Sequence, residues 1–265
     1  MELFFPSRSS FPSISSTGTS CELSCAHCNS YYLRSMADAS SCGLYDICAK
    51  ALSRGAIGAL ISGGSDRCGM VPHDYKEISR ICGLEPFLIN IHTGLLRGRV
   101  PEELCLADVV SVDIPPSDNA VRDVLGIEAC QKDYFEMLEM LESEKIRYAP
   151  HLCLGLENAH IRGEYATLEL LESYDFESLV ILTLKRTPGA PMTYSLPEAP
   201  ECENVIKAAR EKFKNLTLGC MRDRSRKKEQ LWHYFDKIAW PSSIIKEEIS
   251  RADIDCTKAY VCCSV

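Results

Sequence analysis

Ser13-Ile14-Ser15-Ser16-Thr17-Gly18-Thr19-Ser20-Cys21-Glu22-Leu23-Ser24-Cys25-Ala26-His27-Cys28 is a short β-like run that opens into a loop with three thiols. A helical pattern follows at Leu44–Arg54, and a second apolar run, Ile57–Ser62, comes directly after it. Strand, loop, helix and strand in that order make a βα unit. Further candidate strands are Pro86–His92, Val109–Ile114, Arg147–Leu154, Leu179–Leu184 and Leu216–Gly219, with a poorer one near Lys237–Trp240. Helical patterns fall between them at Asp74–Cys82, Gln131–Lys145, Arg162–Leu171, Cys202–Lys214 and Asp223–Phe235. Strands joined through helices pair in parallel under a helical layer. The alternation predicts an α/β fold, a complete or nearly complete (β/α) TIM-type barrel over residues 1–240. Residues 241–265 are expected to form a C-terminal helix and a cysteine-rich tail covering it.

Composition narrows the function classes. The 265 residues are 46% hydrophobic and 25% charged, an ordinary globular balance. A net charge of −8 argues against nucleic acid, whose backbone needs a basic face. No apolar run approaches the roughly 18 residues of a membrane span. The opening Met1–Pro6 lacks the basic start of a secretory signal, so a cytoplasmic location is expected. The fifteen cysteines, an odd number, argue against a disulfide framework. Cys48, Cys82, Cys105 and Cys130 fall in helix-like patterns and are expected in the core.

The strands carry a second signal. One face of Pro86–His92 shows Leu88, Asn90 and His92; Val109–Ile114 shows Ser111 and Asp113; Arg147–Leu154 shows His151 and Cys153. Leu179–Lys185 ends one face with Thr183 and Lys185. Barrel lumens are usually filled by branched apolar side chains. Four strands turning polar toward their C-terminal ends predict a ligand channel that opens there.

Cys21, Cys25 and Cys28 have C-x₃-C-x₂-C spacing at the C-terminal end of a strand, where barrel active sites are built. A [4Fe–4S] cluster normally takes four thiolates, so three leave one iron open to a substrate molecule. The alternative is a structural zinc site with His27 or a distant cysteine as fourth ligand, although such sites usually have two separated ligand pairs.

These residues resemble the radical S-adenosylmethionine (SAM) superfamily, which carries this spacing in its first βα loop. The resemblance implies a [4Fe–4S] cluster on the three cysteines and SAM chelated by the open iron. His27 stands where the family has an aromatic residue beside the adenine. Leu60-Ile61-Ser62-Gly63-Gly64-Ser65 is similar to the family's glycine motif, implying backbone contact of Ser62, Gly63 and Gly64 with the SAM amino group, with Ser65 where a Glu is common. The polar faces then place Asn90, His92 and Asp113 beside the cofactor. His151-Leu152-Cys153-Leu154-Gly155-Leu156-Glu157 resembles the adenine-binding stretch of biotin synthase-like members, which implicates His151, Gly155 and Glu157. Thr187–Met192 is similar to the loop after their sixth strand and adds Pro191.

Cys256-x₅-Cys262-Cys263-Ser264 closes the chain, and Cys220 follows the seventh strand. Exposed free thiols are liabilities, so this density is read as ligands of an auxiliary iron–sulfur cluster, with Cys220 or Ser264 completing the set; Cys202 is a weaker candidate. Two clusters suggest that one makes a radical and the other donates sulfur. The chain resembles archaeal biotin synthase-like proteins, including subunits of a two-subunit lipoyl synthase. That resemblance implies an octanoyl-lysine on an H protein or lipoyl domain as substrate, a second radical SAM subunit, and an electron donor such as ferredoxin. Another biotin synthase-like reaction of cofactor biosynthesis stays open, as does a non-enzymatic iron–sulfur or zinc protein. The basic run Arg222–Lys228 reads as a solvated helix start that could also dock an acidic carrier or meet the SAM carboxylate.

Overall fold

Each apolar run with β-branched residues becomes a strand, and every strand pairing is parallel. The computed structural model describes residues 1–192, 195–262 and 264. In chain order the strands are β1 (Glu2–Phe4), β2 (Ser13–Ser15), β3 (Ala37–Asp38), β4 (Gly58–Ser62), β5 (Leu88–His92), β6 (Val109–Ile114), β7 (Tyr148–Leu154), β8 (Leu179–Thr183), β9 (Leu216–Leu218), β10 (Lys237–Ala239) and β11 (Thr257–Ala259). The helices are α1 (Leu44–Ser53), α2 (Tyr75–Cys82), α3 (Gln131–Ser143), α4 (Glu164–Leu171), α5 (Ala199–Lys212), α6 (Arg226–Glu229) and α7 (Ser243–Arg251). The strands form one sheet in the order β11-β1-β10-β9-β8-β7-β6-β5-β4-β2-β3.

The sheet curls into a barrel-like trough without closing. Phe4 of β1 and Val109 of β6 share one apolar cluster although four strands separate them in the sheet, which requires a concave inner face. The edge strands β3 and β11 do not pair among the described residues, so the expected complete or nearly complete barrel is an open one. Both edges are strands of two or three residues, which keeps little unpaired backbone on offer. The same brevity hid β1, β3 and β11 from the sequence pattern.

Alternation divides the strands between two environments. Ile89, Ile91, Val110, Val112, Leu152 and Leu154 face outward into the main core beneath the helices. Helix α3 meets them with Tyr134, Met137, Leu138 and Leu141, a stripe at helical spacing. Asn90, Ser111, Asp113, His151 and Cys153 have the opposite parity and face the lumen. On β8 the expected parity is reversed. Leu179 and Ile181 join the outer core, Val180 and Leu182 pack in the lumen, and the Thr183 hydroxyl accepts the Asp223 N–H.

Two further expectations change. Cys48 is buried and Cys82 half-buried, but Cys105 is exposed. Cys130 is the half-buried cap before α3, because Asp133 accepts the Cys130 N–H and starts the helix at Gln131. Arg222 is no solvated or ligand-facing cation. Its side chain is 2% exposed, pairs with Glu229 at 2.7 Å, and donates to the Gly219 and Ala239 carbonyls. Lys228 likewise turns inward to Asp223. The two ends of the charge run are buried while Arg224–Lys227 stay exposed; Glu229 opposite Arg222 closes the loop after β9 onto β10.

Breaking such a pair leaves an uncompensated buried charge, so Arg222→Ala should lower stability by about 3–5 kcal/mol. Denaturant unfolding checks this; a midpoint like that of the unmodified chain would mean that Glu229 is solvated.

Candidate functional site

The three-thiol loop leaves β2 at its C-terminal end and is tied down from three sides. The Thr17 hydroxyl donates to Ser20 O at 2.8 Å and accepts the Gly64 N–H at 2.7 Å. Glu22 N–H donates to Ser65 O, so the turn after β4 holds the loop's entry. Ala26 N–H donates to Val124 O, the Cys25 thiol lies 3.4 Å from Leu125 O, and Met192 N–H donates to Ala26 O. Asn29 and Ser30 then reverse the chain with φ of 44° and 57°.

Gly64 is essential to this arrangement. A Cβ there would stand 2.0 Å from Ser20 O and 2.5 Å from Cys21 Cβ. The sequence reading gave Gly63 and Gly64 to close approach of a ligand; the nearest thing that Gly64 admits is the cysteine loop itself. Gly63 is less tight, its Cβ falling 3.0 Å from Val71 Cγ1.

The loop gathers its thiols. Hydrogen bonding from Cys25 draws the Cys28 pKa down to about 4 against the opposing effect of burial, and His27 beside it acts in the same sense. The Cys25 thiol is pushed up by that shared proton and by burial, with Cys21 adding its field. Three thiols in one short loop, two of them close enough to perturb each other, suit a soft metal or an iron–sulfur cluster. His27 Nδ1 is buried without a hydrogen-bond partner among the described residues, an atom that a bound group would satisfy.

Deeper in the lumen, register brings polar residues together. Asp113 and His151 are direct partners across β6 and β7, and His92 is paired with Ser111 on the strand beside them. His151 Nδ1 lies 3.4 Å from Asp113 Oδ1, and His92 Nδ1 lies 3.8 Å from Asp113 Oδ2. Burial tends to lift the Asp113 pKa, but the facing imidazoles outweigh it and hold the carboxyl below its usual range. Burial likewise opposes a charged His92, yet Asp113 raises its pKa overall. Ser111 donates to Asn90, and Asn90 donates to Cys262 Sγ at 3.2 Å. His151 Nε2 lies 3.0 Å from Ser264 Oγ, so the tail reaches these residues from inside the trough.

The other expected residues take separate places. The Ser62 carbonyl accepts the Ser16 N–H in the β2–β4 ladder. Gly155 has φ of +76° and donates its N–H to Glu164, while Glu157 accepts from the Ser117 hydroxyl. Pro191 is exposed. Cys220 is exposed, and partial enclosure by the protein followed by the field of Cys262 pushes its thiol up to about 11. Cys256 instead packs against the outer core, Cys202 is fully buried there, and Cys263 lies outside the described residues.

Two residues were missed. His73 Nε2 donates to His92 O, so Nδ1 accepts from Ser16 Oγ at 2.7 Å, and burial lowers its pKa to about 4. This neutral imidazole joins the end of β2 to the end of β5. Glu164 is fully buried and caps Gly155 and Arg162 N–H groups. Neither sits in a motif; only the fold brings it to its partner.

No protein-family model matches this sequence, and no curated protein sequence matches it. Its fold is similar to that of methylornithine synthase (PylB), at TM-score 0.60 and 13% identity over 91% of this chain and 73% of that one. It is similar also to Streptococcus suis SuiB bound to S-adenosylmethionine, at TM-score 0.60 and 12% identity over 94% of this chain. SuiB bound to its precursor peptide SuiA matches at TM-score 0.57 and 11% identity over 83% of this chain. The chain spans 58% and 51% of those two SuiB chains. Both neighbours are radical SAM enzymes, and the chain shares their α/β barrel-type fold.

The Gly64 contact generates a prediction. Gly64→Ala should push Ser20 and Cys21 away and speed amide exchange of Glu22 about tenfold, whereas Gly63→Ala should change it little. Hydrogen-exchange mass spectrometry over residues 17–28 reads this, and equal protection in the two variants would contradict it.

Proposed function

We propose that the chain is a radical SAM enzyme whose Cys21, Cys25 and Cys28 hold a [4Fe–4S] cluster at the mouth of the lumen. The observation that carries this reading is the placing of three thiols in one short loop fixed at the C-terminal end of β2 by Thr17 and Gly64. The fold neighbours support it, one of them having been seen with S-adenosylmethionine. A cluster held there would supply one-electron reductive chemistry for cleaving SAM, the electron coming from an external donor. The chain's residues bind and orient. Cys28 presents a thiolate at neutral pH, His27 offers its orphaned Nδ1, and the turn Ser62–Gly64 lies against the loop where SAM would meet the cluster. Gly155 and Glu157 flank the far side of the same mouth in this reading. The apolar patch of Val124, Leu156 and Leu184 beside Ala26 excludes water there.

The finer reading is sulfur insertion in lipoyl formation, on an octanoyl-lysine of an H protein or lipoyl domain. It rests on the resemblance of the sequence segments and on the cysteine-rich tail. A second radical SAM subunit and a ferredoxin-type donor belong to it. Cys262, which accepts from Asn90 in the lumen, and the exposed Cys220, whose thiol feels its field, are the proposed protein contacts of an auxiliary iron–sulfur cluster, with Cys263 next to Cys262 in sequence. Cys256 would join them only if the segment after α7 moved, because it packs on the opposite side of the sheet. SuiB acts as a precedent in one respect, having been seen with a peptide in a barrel of this type.

Replacing Cys21, Cys25 and Cys28 together with Ala should remove one [4Fe–4S] equivalent and abolish 5′-deoxyadenosine formation while far-UV dichroism is retained. Deoxyadenosine production by that variant would end the radical SAM reading. For the finer one, deleting residues after Asp255 should lower iron from about eight to about four per chain after anaerobic reconstitution. SAM cleavage should survive and carbon–sulfur bond formation should not. A full-length chain that binds iron for one cluster only would remove the auxiliary cluster.

A further inference from the structure

The lumen residues His92, Asp113 and His151 are spaced unlike a set of hydrogen bonds. Their facing atoms stand 3.4 and 3.8 Å apart, whereas a direct N–H···O bond closes to about 2.7–3.2 Å. One ligand atom from each of the three lies within 4.8 Å of the other two. Atoms that surround a point without touching one another are arranged for an occupant. We propose that His92, Asp113 and His151 form a mononuclear site for a divalent transition metal, separate from the three-thiol loop.

The donor set supports this. Two imidazoles and one carboxylate suit zinc or ferrous iron better than magnesium or calcium, which prefer all-oxygen sites. With bonds of about 2.0–2.2 Å, ligand atoms around such an ion stand about 3–3.5 Å apart, so small side-chain shifts close the site. The geometry is supported from outside. His151 presents Nδ1 inward and its Nε2 lies 3.0 Å from Ser264 Oγ, the hydrogen bond that fixes a ligating imidazole in orientation. His92 is anchored through its carbonyl, which accepts from His73. The His151 side chain is 8% exposed and the His92 side chain 22%, but the Asp113 side chain is 71% exposed toward the lumen. Three protein ligands with an open side are the pattern of a site that binds a substrate oxygen, in contrast to a closed structural site. Such an ion would polarise a carboxylate or carbonyl group of a molecule bound in the lumen.

Tail thiols are not required, and neither is the cysteine loop, so this site can fail or stand apart from the radical SAM reading. The test uses the anaerobically reconstituted full-length chain dialysed against zinc chloride, with zinc and iron counted separately. About one zinc per chain is expected beyond any held by thiols. The Cys21, Cys25 and Cys28 triple-Ala variant should lose iron and keep that zinc, whereas the chain truncated after Asp255, which loses Ser264, should bind it about tenfold more weakly. Asp113→Asn, which preserves shape, and His92→Gln should each weaken zinc binding at least about tenfold, with thermal unfolding little changed. Cobalt in the triple-Ala variant gives a second readout, because its visible d–d bands should vanish on Asp113→Asn. Zinc lost with the loop thiols, or bound equally well by Asp113→Asn and His92→Gln, would overturn the site, as would no zinc binding at all.

Discussion

The absence of a side chain at Gly64 is the constraint on which the site depends. The turn after β4 can press onto the backbone of Ser20 and Cys21 only because no Cβ intervenes. That contact lets Thr17 bridge Gly64 and Ser20 with a single hydroxyl, and it lets Glu22 N–H reach Ser65 O. Loops are ordinarily the mobile part of a barrel. Here the pairing of β2 with β4 continues as side-chain and backbone bonds past the ends of both strands, so the first thiol is tied to the sheet that precedes it.

A parallel sheet supplies the rest by its polarity. All strands run the same way, so position along a strand becomes depth in the trough. Toward the N-terminal ends the inner face is apolar, with Phe4, Val109, Ala149 and Val180 in one cluster. One pleat further along come Ser111 and His151, and then Asp113 and Cys153. The trough therefore grades from apolar floor to ionisable middle to thiol-lined mouth. Burying a polar group without a partner costs on the order of 1–3 kcal/mol. The gradient is tolerable because the buried groups have partners, Ser111 in Asn90 and His151 in Ser264, while the Asp113 side chain, 71% exposed, stays open to the lumen.

What the sequence disclosed follows from how local each signal is. The three-thiol spacing and the alternation on β5, β6 and β7 are short-range patterns, and both were legible. The parity of β8 was not, because polar Thr183 reads as lumen-facing while its hydroxyl serves the Asp223 N–H outside. The middle of the run Arg222–Lys228 is solvated as its charge density suggests, but nothing in the sequence hints that Glu229 folds back against Arg222 at its start. Edge strands of two or three residues carry too few side chains to show a period. The contact between Gly64 and Ser20, and the bond from His73 to His92, join segments far apart in the chain and have no sequence signature.

The tail shows how the fold can divide a motif that sequence density unites. Cys256 and Cys262 stand close in sequence, and a cluster reading treats them as equivalent. Between them β11 pairs with β1 in parallel and places Ala259 on the inner cluster. Cys256 comes before that strand and packs on the helical side; the chain bends at Val261 and delivers Cys262 to Asn90. The sheet thus acts as a wall between two thiols of one apparent motif. Among the described residues, a ligand set built from the tail would be assembled on the lumen side, from Cys262 and what lies near it. Those neighbours are Cys220 and the polar residues of β5, β6 and β7, none of which belongs to the tail. The chemistry of the tail is consequently set by the strands it enters more than by its own spacing.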